Sequence, residues 1–482
     1  MKTLVLNSRE FARNDNRLRG SSYSPQAYAA RRRLKRSGFP LVSLASLQVT
    51  DAVFMPSRFK RIWVEEVHGV PFITGAEMLF ATLPRDRFIS KKLTKQLDTY
   101  FVEKGWTLIS RSGTVGNAVI VTSDLTDYAV TEDAIRIAPA NGMPSGYLYA
   151  YLSGRDFHAL VTEKVYGSVI DHVEPDQVAE LPIPLLPDAI QQRIHELVMT
   201  ACDLRVQANA KLAQADEQFH QVNNLPRLPK GPIGSEHGAI SNRLFIQNPE
   251  AILIASHYNR LALRAEKNIA SLRGKKRIAE IATVYMPTRF KRVRVQSDYG
   301  IPFLTGKHIL QIEPTDYTYI SEKLTRDLES YIVHQGWTLI TRSGTVGRTA
   351  FVSQDLDGVA VTEDAIRVIP SDQIHPGYLY AFLASSYGYL QVTRYVHGSV
   401  IPHISEAHIG RALLPFPTQG AKSEIGELIL DAMDMRVQAN ALLRHACALF
   451  DAALTAGQAA FAETDAADWL ASWERSAEGG RK

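Results

Sequence analysis

The feature that most constrains this chain is that it repeats itself. GWTLISRSGTVGNAVIV, from Gly105 to Val121, returns as GWTLITRSGTVGRTAFV from Gly336 to Val352. MPSRFKR at Met55–Arg61 returns as MPTRFKR at Met286–Arg292, and VTEDAIR at Val130–Arg136 returns unchanged at Val361–Arg367. Gly167–Ile170 returns at Gly398–Ile401. DLRVQANA at Asp203–Ala210 returns at Asp434–Ala441, with Leu204 replaced by Met435. Every pair lies 231 residues apart, so no net insertion or deletion separates the copies between about residue 53 and residue 210. A weaker match, Ser22-Tyr23 against His257-Tyr258, precedes this at a slightly different offset. So long a period marks duplication of a domain rather than a solenoid.

At 482 residues the chain exceeds what one hydrophobic core holds. Apolar content of 45% and charged content of 22% are those of a soluble globular protein. A net charge of +4 permits a polyanionic partner without demanding one, so the placement of the cations matters more than their sum. Two cysteines, Cys202 and Cys447, cannot build a disulfide framework or a four-cysteine zinc site, which points to a reducing cytoplasmic compartment. No apolar run reaches the ~18 residues of a membrane span. The opening MKTLVLNSREF returns to charge too soon for a signal peptide.

Within each repeat the texture changes once. From Leu41 to Pro187 short β-rich runs alternate with Gly and Pro; Trp106–Ser110 and Ala118–Val121 flank a glycine turn. Leu181–Pro187, LPIPLLP, forbids helix and favours an extended segment. The period then becomes helical. Ile190, Ile194, Leu197, Ala201, Leu204, Ala208, Lys211, Ala215 and Gln218 step by four and three, and so do Ile425, Leu428, Ala432, Met435, Ala439, Leu442, Ala446, Leu449 and Ala453. Such a seam predicts a coiled coil about 50 Å long; the alternative is that each helix packs only on its own domain. The expected fold class is α+β: two similar mixed domains, each followed by a long helix, the two helices pairing as a coiled coil. The expected divisions are domain one with an N-terminal arm (1–187), helix one (188–222), a Pro/Gly-rich linker (223–250), domain two (251–418), helix two (419–456) and a tail (457–482).

No catalytic constellation emerges. Ser112–Gly116 lacks the GxxxxGK[ST] and GxGxxG spacings and runs into a strand, which argues against a phosphate loop. The repeated acids Glu132-Asp133 and Glu363-Asp364 are expected to cap or to pair with a nearby arginine such as Arg136, and His172 and His403 to be structural or interface residues. Cys202 and Cys447 occupy non-equivalent places and read as helix-packing thiols. The cations say more. Arg58, Lys60 and Arg61, and in the second copy Arg289, Lys291, Arg292 and Arg294, surround a phenylalanine in a loop that follows a proline. Repeated with an aromatic inside, this loop looks like a grip on DNA phosphates. Arg111, Ser112 and Thr114, with Arg342, Ser343 and Thr345, join it as DNA-contact candidates at the glycine turn. Arg31–Arg36 adds a basic helix.

These residues resemble one family, the specificity (S) subunit of type I restriction-modification enzymes. The likeness rests on LISRSGTVG at Leu108–Gly116 and LITRSGTVG at Leu339–Gly347, and on LPIPLLP with its shortened counterpart LLPFP at Leu413–Pro417. It rests also on Gln191-Gln192-Arg193-Ile194 opening the first helix and on Tyr23-Ser24-Pro25 opening the first half. The second copy departs at Lys422-Ser423-Glu424-Ile425, and the proline-rich linker and the tail from Gly457 to Lys482 lie outside the likeness. The resemblance implies two target recognition domains spaced by two long helices that pair as an antiparallel coiled coil, and no catalysis or cofactor in this chain. It implies double-stranded DNA and two adenine methyltransferase (M) subunits as partners, those subunits carrying S-adenosylmethionine. A restriction (R) subunit can join them.

Two related domains on antiparallel helices would carry an approximate two-fold axis and read two half-sites in inverted orientation. Because the copies are so alike, a bipartite, near-palindromic target is expected. Positions that differ then become candidate base readers: Asn117 against Arg348 above all, since Asn suits adenine and Arg suits guanine, and also Glu77 against His308 and Trp63 against Arg294. A stand-alone DNA-binding or phage-defence scaffold without associated methylation is the competing expectation. Trp469 and Trp473 in the tail fit either a docking helix or a frayed end.

Overall fold

In the computed structural model, residues 23–165, 171–229, 255–314, 317–398 and 401–479 are described. The first part of the N-terminal arm, Gly167–Ile170, most of the linker, and Ser399 and Val400 lie outside the described residues.

The chain divides into two units that do not follow its linear order. Unit 1 contains residues 1–79, 87–206 and 439–482; unit 2 contains residues 80–86 and 207–438. The first element among the described residues of unit 1 is α1 (Pro25–Arg36). Pro25 pre-sets the first turn and the Ser24 hydroxyl accepts from the Ala27 amide at 3.4 Å. Ten short strands follow: β1 (Leu41–Ser43), β2 (Thr50–Phe54), β3 (Trp63–Val64), β4 (Gly69–Ile73), β5 (Phe88–Ser90), β6 (Thr107–Ser110), β7 (Ala118–Ile120), β8 (Ala129–Val130), β9 (Ala134–Pro139) and β10 (Pro182–Pro184). Three helices, α2 (Ser145–Leu152), α3 (Arg155–Glu163) and α4 (Pro175–Ala179), lie between β9 and β10, and α5 (Asp188–Val222) ends the repeat.

The strands form two four-stranded sheets, ordered β2-β9-β6-β7 and β3-β5-β4-β8, and a β1-β10 pair. Among the described residues of this unit only the β4–β8 pairing is parallel; it sets Phe72 opposite Ala129 and Ile73 opposite Val130. The LPIPLLP segment is extended, as its prolines require. Its β10 runs antiparallel to β1, with Ile183 opposite Val42, and the buried hydroxyls of Tyr147 and Tyr151 donate to the carbonyls of Pro184 and Pro182.

Unit 2 repeats this plan. After α6 (Arg260–Ala270), capped by the Asn259 side chain at 2.9 Å from the Leu261 amide, come β11 (Lys275–Arg277), α7 (Ile278–Ile281), β12 (Ala282–Tyr285), β13 (Arg294–Val295), β14 (Gly300–Leu304), β15 (Thr318–Ser321), β16 (Thr338–Thr341), β17 (Thr349–Phe351), β18 (Ala360–Val361) and β19 (Ala365–Pro370). Then follow α8 (Pro376–Ala384), α9 (Ser386–Thr393), α10 (Glu406–Gly410), β20 (Leu413–Pro415), α11 (Gln419–Glu463) and α12 (Ala466–Gly479), the end of α11 and all of α12 belonging to unit 1. Sheet orders β12-β19-β16-β17 and β13-β15-β14-β18 match those of unit 1 strand for strand.

The two long helices run antiparallel. In unit 1, Arg205 donates to Asn440 at 2.9 Å; in unit 2, Arg436 donates to Asn209 at 2.7 Å and Lys211 to Asp431 at 2.8 Å, so the partner number falls as α5 advances. Ile194, Leu197, Ala201, Ala208, Ile425, Ala432 and Ala439 are buried, while Leu204, Leu428, Met435 and Leu442 are half-buried. The buried stripe is wider than a two-residue seam. Val198 and Cys202 on α5, and Ile429, Met433 and Leu443 on α11, are also buried. The reason is that each helix also covers a domain core, so both ways of burying it operate at once. Phe450, near the end of α11, packs on Tyr147 and Tyr151 of unit 1 with ring centroids 5.8 and 5.7 Å away. Its repeat mate Phe219, near the end of α5, packs on Tyr378 and Phe382 of unit 2 at 6.0 and 6.2 Å. Each unit is thus completed by the far end of the other repeat's helix.

Helical geometry breaks in α11 at Gly457, whose φ of 76° lies in the left-handed region. There the Gln458 amide donates to the Ser37 carbonyl at 2.6 Å, and α12 folds back onto unit 1. Trp469 stacks on Phe461 at 5.0 Å, Trp473 lies 4.9 Å from His445, and Glu474 accepts from Arg193 at 2.6 Å. Among the described residues no helix is long and apolar enough to cross a membrane.

Candidate nucleic-acid interface

The basic loop is built on aromatics. Phe59 packs on Tyr100 at 4.1 Å and on Phe72 at 6.2 Å, and the Tyr100 hydroxyl donates to the Ser57 carbonyl at 3.0 Å. Phe290 repeats this on Tyr331 at 4.0 Å and Phe303 at 5.9 Å, with Tyr331 donating to Thr288 at 2.7 Å. The phenylalanine therefore faces inward as the loop's anchor, and the cations on either side face out. Arg58, Lys60, Arg289, Lys291 and Arg294 are exposed and have no ion-pair partner among the described residues. Arg61 and Arg292 differ. Arg61 lies 5.1 Å over the Phe72 ring and donates to both Glu132 oxygens at 3.0 Å. Arg292 lies 5.2 Å over Phe303 and reaches Glu363 at 2.9 and 3.0 Å. Burial alone would raise the Glu363 carboxyl. Its own backbone amide and Arg292 more than reverse that and hold it below the usual glutamate range.

The glycine turn is equally well defined. The Gly116 amide donates to the Ser110 carbonyl at 3.0 Å, and the Gly347 amide to Thr341 at 2.9 Å. Both glycines have positive φ, 90° and 82°, and a Cβ on either would collide with a helix side chain, Val161 on α3 or Thr393 on α9. Gly113 and Gly344, by contrast, face open space. In this setting Arg111 is buried and bonded to Asp133 at 3.3 Å and to Glu174 at 2.5 Å. Burial pulls its guanidinium down, but the bonds from Glu174 and Asp133 outweigh that and raise it. Ser112 donates to Asp133. Arg342 keeps only Asp364, at 3.3 Å, because Ser405 stands where Glu174 would be. Thr114 and Ser343 are half-buried; Thr345 is exposed.

The expectation that Arg136 pairs with the repeated acids is corrected. Glu132 meets Arg61 and Asp133 meets Arg111, whereas Arg136 is fully buried and donates to three carbonyls: Thr131 at 3.0 Å, Ala134 at 2.6 Å and Val130 at 2.9 Å. Arg367 does the same with Thr362 at 2.8 Å and Val361 at 2.6 Å, and adds Tyr331 at 3.2 Å. The physical reason is alternation: on β9 and β19 this side chain points into the core, while the acids sit on the turn before the strand and point out. Burial pushes both guanidinium groups down to about 10, so they stay charged at neutral pH. Each buried arginine staples the turn whose two acids link the basic loop to the glycine turn. Nothing in the motif except its unchanged repetition signals this.

Among the positions that differ between copies, Asn117 is buried, its amide donating to the Ser110 hydroxyl at 3.1 Å. Arg348 is half-buried, paired with Asp86 and lying 5.8 Å over the Tyr389 ring. Glu77 and His308 are buried and cap their own loops, accepting from the Thr74 amide at 3.0 Å and the Thr305 amide at 3.1 Å. Trp63 and Arg294 are exposed. On the basic helix, Arg31 pairs with Glu163 and Arg33 with Asp156 and Asp451, while Arg32, Lys35 and Arg36 are exposed. Cys202 is buried in the helical core, which pushes its thiol up to about 11. His172 lies 3.8 Å from Glu174, and His403 contacts the His397 ring at 4.1 Å. Among the described residues no cluster of side chains could hold a metal ion.

No curated protein matches the chain. Among solved structures it is similar to the S subunit of a type I restriction-modification system from M. genitalium, at 12% identity over 87% of this chain and 95% of that one, with a TM-score of 0.32. The HsdS subunit from Thermoanaerobacter tengcongensis is similar at 13% identity over 87% and 97%, with a TM-score of 0.28. At these scores neither likeness carries an argument of its own. The sequence does: residues 56–213 and 274–442, one segment in each repeat, match the type I restriction modification DNA specificity domain. With both repeats matched and more than half of the chain covered, this protein belongs to the type I restriction-modification DNA specificity family.

Proposed function

We propose that this chain reads a bipartite, near-palindromic sequence in double-stranded DNA and positions adenine methyltransferase subunits on it. It is a specificity subunit, not an enzyme, and its family recognises DNA sequence. The observation that carries the finer reading is the duplication of one cationic loop on one aromatic anchor: Arg58 and Lys60 beside Phe59, Arg289 and Lys291 beside Phe290. Side chains without acidic partners are free to replace phosphate counterions, and each phosphate so neutralised adds to the salt dependence of binding. Two alike readers favour two alike half-sites.

Methylation would come from partner subunits holding S-adenosylmethionine. Two such subunits fit a duplicated chain, and a restriction subunit could join them in the cytoplasm. The test is to map methylated adenines by single-molecule sequencing in cells with and without this gene. A split motif with similar arms and a fixed gap, lost on deletion, supports the reading; an unchanged methylome sinks it.

A further inference from the structure

Beside each basic loop lies a second exposed element that the phosphate-gripping cations do not account for. Leu93 is 57% exposed and its repeat mate Leu324 is 65% exposed, a placement that forgoes the burial a leucine ordinarily gains. Neither is a stray side chain on a loose loop. The Leu93 amide donates to the Ser90 hydroxyl at 3.1 Å and the Leu324 amide to the Ser321 hydroxyl at 3.3 Å. The next residue, Thr94 or Thr325, is buried. Two residues further on, Gln96 and Asp327 adopt the left-handed conformation at φ 51° and 49°. Only one other non-glycine residue among those described, Asn224, does so. The same strained position in both copies, three residues after the same exposed leucine, marks a shape held by its surroundings.

That shape is joined to the basic loop. The Ser90 amide donates to the Ile62 carbonyl at 2.9 Å, one residue after Arg61, and Ser321 makes the equivalent bond to Val293 at 2.9 Å. Tyr100 and Tyr331, which close the segment, are the rings under Phe59 and Phe290. Each unit thus presents an apolar tip and a cationic loop as one surface. Lys91, Lys92 and Lys95 surround Leu93, and Lys323 and Arg326 flank Leu324.

Resting on the DNA-binding reading above, we infer that Leu93 and Leu324 are specificity-determining contacts, apolar side chains that pack on base edges of the duplex the basic loops hold by its phosphates. An apolar contact of this kind discriminates among bases, the thymine methyl being one such partner, and releases no counterion. Leucine and cation should therefore separate by salt.

The experiment uses the full chain as isolated from its host, with any subunits it carries. Duplexes are selected from a randomised library, and affinity for the selected duplex and for the unselected pool is measured across salt. The double variant Leu93→Ala/Leu324→Ala should bind the selected duplex about tenfold more weakly, with pool affinity and salt slope unchanged. Arg58→Ala/Lys60→Ala should weaken both and flatten the slope by about 1.8. Equal urea midpoints confirm that the leucine variant folds. Unchanged affinity of the leucine variant for the selected duplex, while the cation variant weakens, overturns this inference alone; so does an equal loss on duplex and pool, or a loss confined to capture of a methyltransferase subunit. A wild-type chain that selects no sequence overturns the DNA-binding reading as well.

Discussion

The two copies of the domain agree in their scaffold, their outward-facing cations and their exposed leucines, and part in how their arginines are paired. Basic loop, aromatic anchor, stapled turn and glycine turn recur in both, and Arg367 engages the counterparts of all the carbonyls that Arg136 does, adding only Tyr331. The divergence is electrostatic. Arg111 is neutralised by two carboxylates and Arg342 by one; Arg348 is tethered to Asp86 where the first copy has a buried Asn117. Around the exposed leucines the first copy has Lys91 and Gln96 where the second has Glu322 and Asp327. Duplication has kept the scaffold and the exposed leucines and altered the charges and ion pairs around them.

The largest expected effect concerns the swapped helix ends. Phe450→Ala should remove about 3–5 kcal/mol from unit 1, although the residue belongs to the second repeat, and Phe219→Ala should do the same to unit 2. Hydrogen exchange reads this directly: Phe450→Ala should lower protection in Tyr147–Leu152 and leave Tyr378–Leu383 unchanged. Loss in the repeat that carries the mutation would break the comparison.

Removing a staple comes next. Arg136→Ala and Arg367→Ala each strand buried carbonyls and should cost about 3 kcal/mol, equally in both copies, measured by urea denaturation. A cost below about 1 kcal/mol would show that the turn holds without its arginine. A smaller, sharper effect is expected at the divergent position. Arg348→Asn and Asp86→Ala should both alter one position of one arm of the methylated motif, by about 1–3 kcal/mol of discrimination. If the motif is unchanged in both variants, the Arg348–Asp86 pair is structural only.

The smallest effect is a pH dependence. Glu363 titrates below its ordinary value in the folded chain, so its contribution is present above the unfolded pKa and fades as pH falls through the folded one. The stability difference between the wild type and Glu363→Gln should therefore be largest at neutral pH and vanish in acid. A difference that persists unchanged in acid would mean that the Arg292 pair contributes nothing through its charge.

Much of this was legible in the sequence because repetition exposes what a single copy hides. The glycine turn, the extended proline segment and the two long paired helices follow from Gly116, from Pro182 and Pro184, and from the alternating steps of three and four; the antiparallel direction comes only with the family resemblance. What sequence could not reveal was direction. VTEDAIR puts acids and an arginine within five residues, and nothing in their spacing says that the acids face the neighbouring loops and the arginine the core. Asn117 likewise reads as a candidate base reader until its burial is seen, and nothing in the sequence sets Leu93 apart until its exposure is seen. The wider buried stripe on the long helices comes from serving two surfaces, a load that a seam pattern on one helix does not record.

The division of unit 1 has a consequence for how the protein is made. Most of unit 1 is translated first but lacks Phe450 and the rest of 439–482 until those residues are made, whereas unit 2 has all of its segments once residue 438 has been synthesised. The nascent N-terminal half must therefore wait with an open apolar groove, and the half translated second is the first able to close. Closing the first by so distant a contact is slow and exposes it to aggregation. A stop codon that removes 439–482 would then damage the domain built from the first repeat.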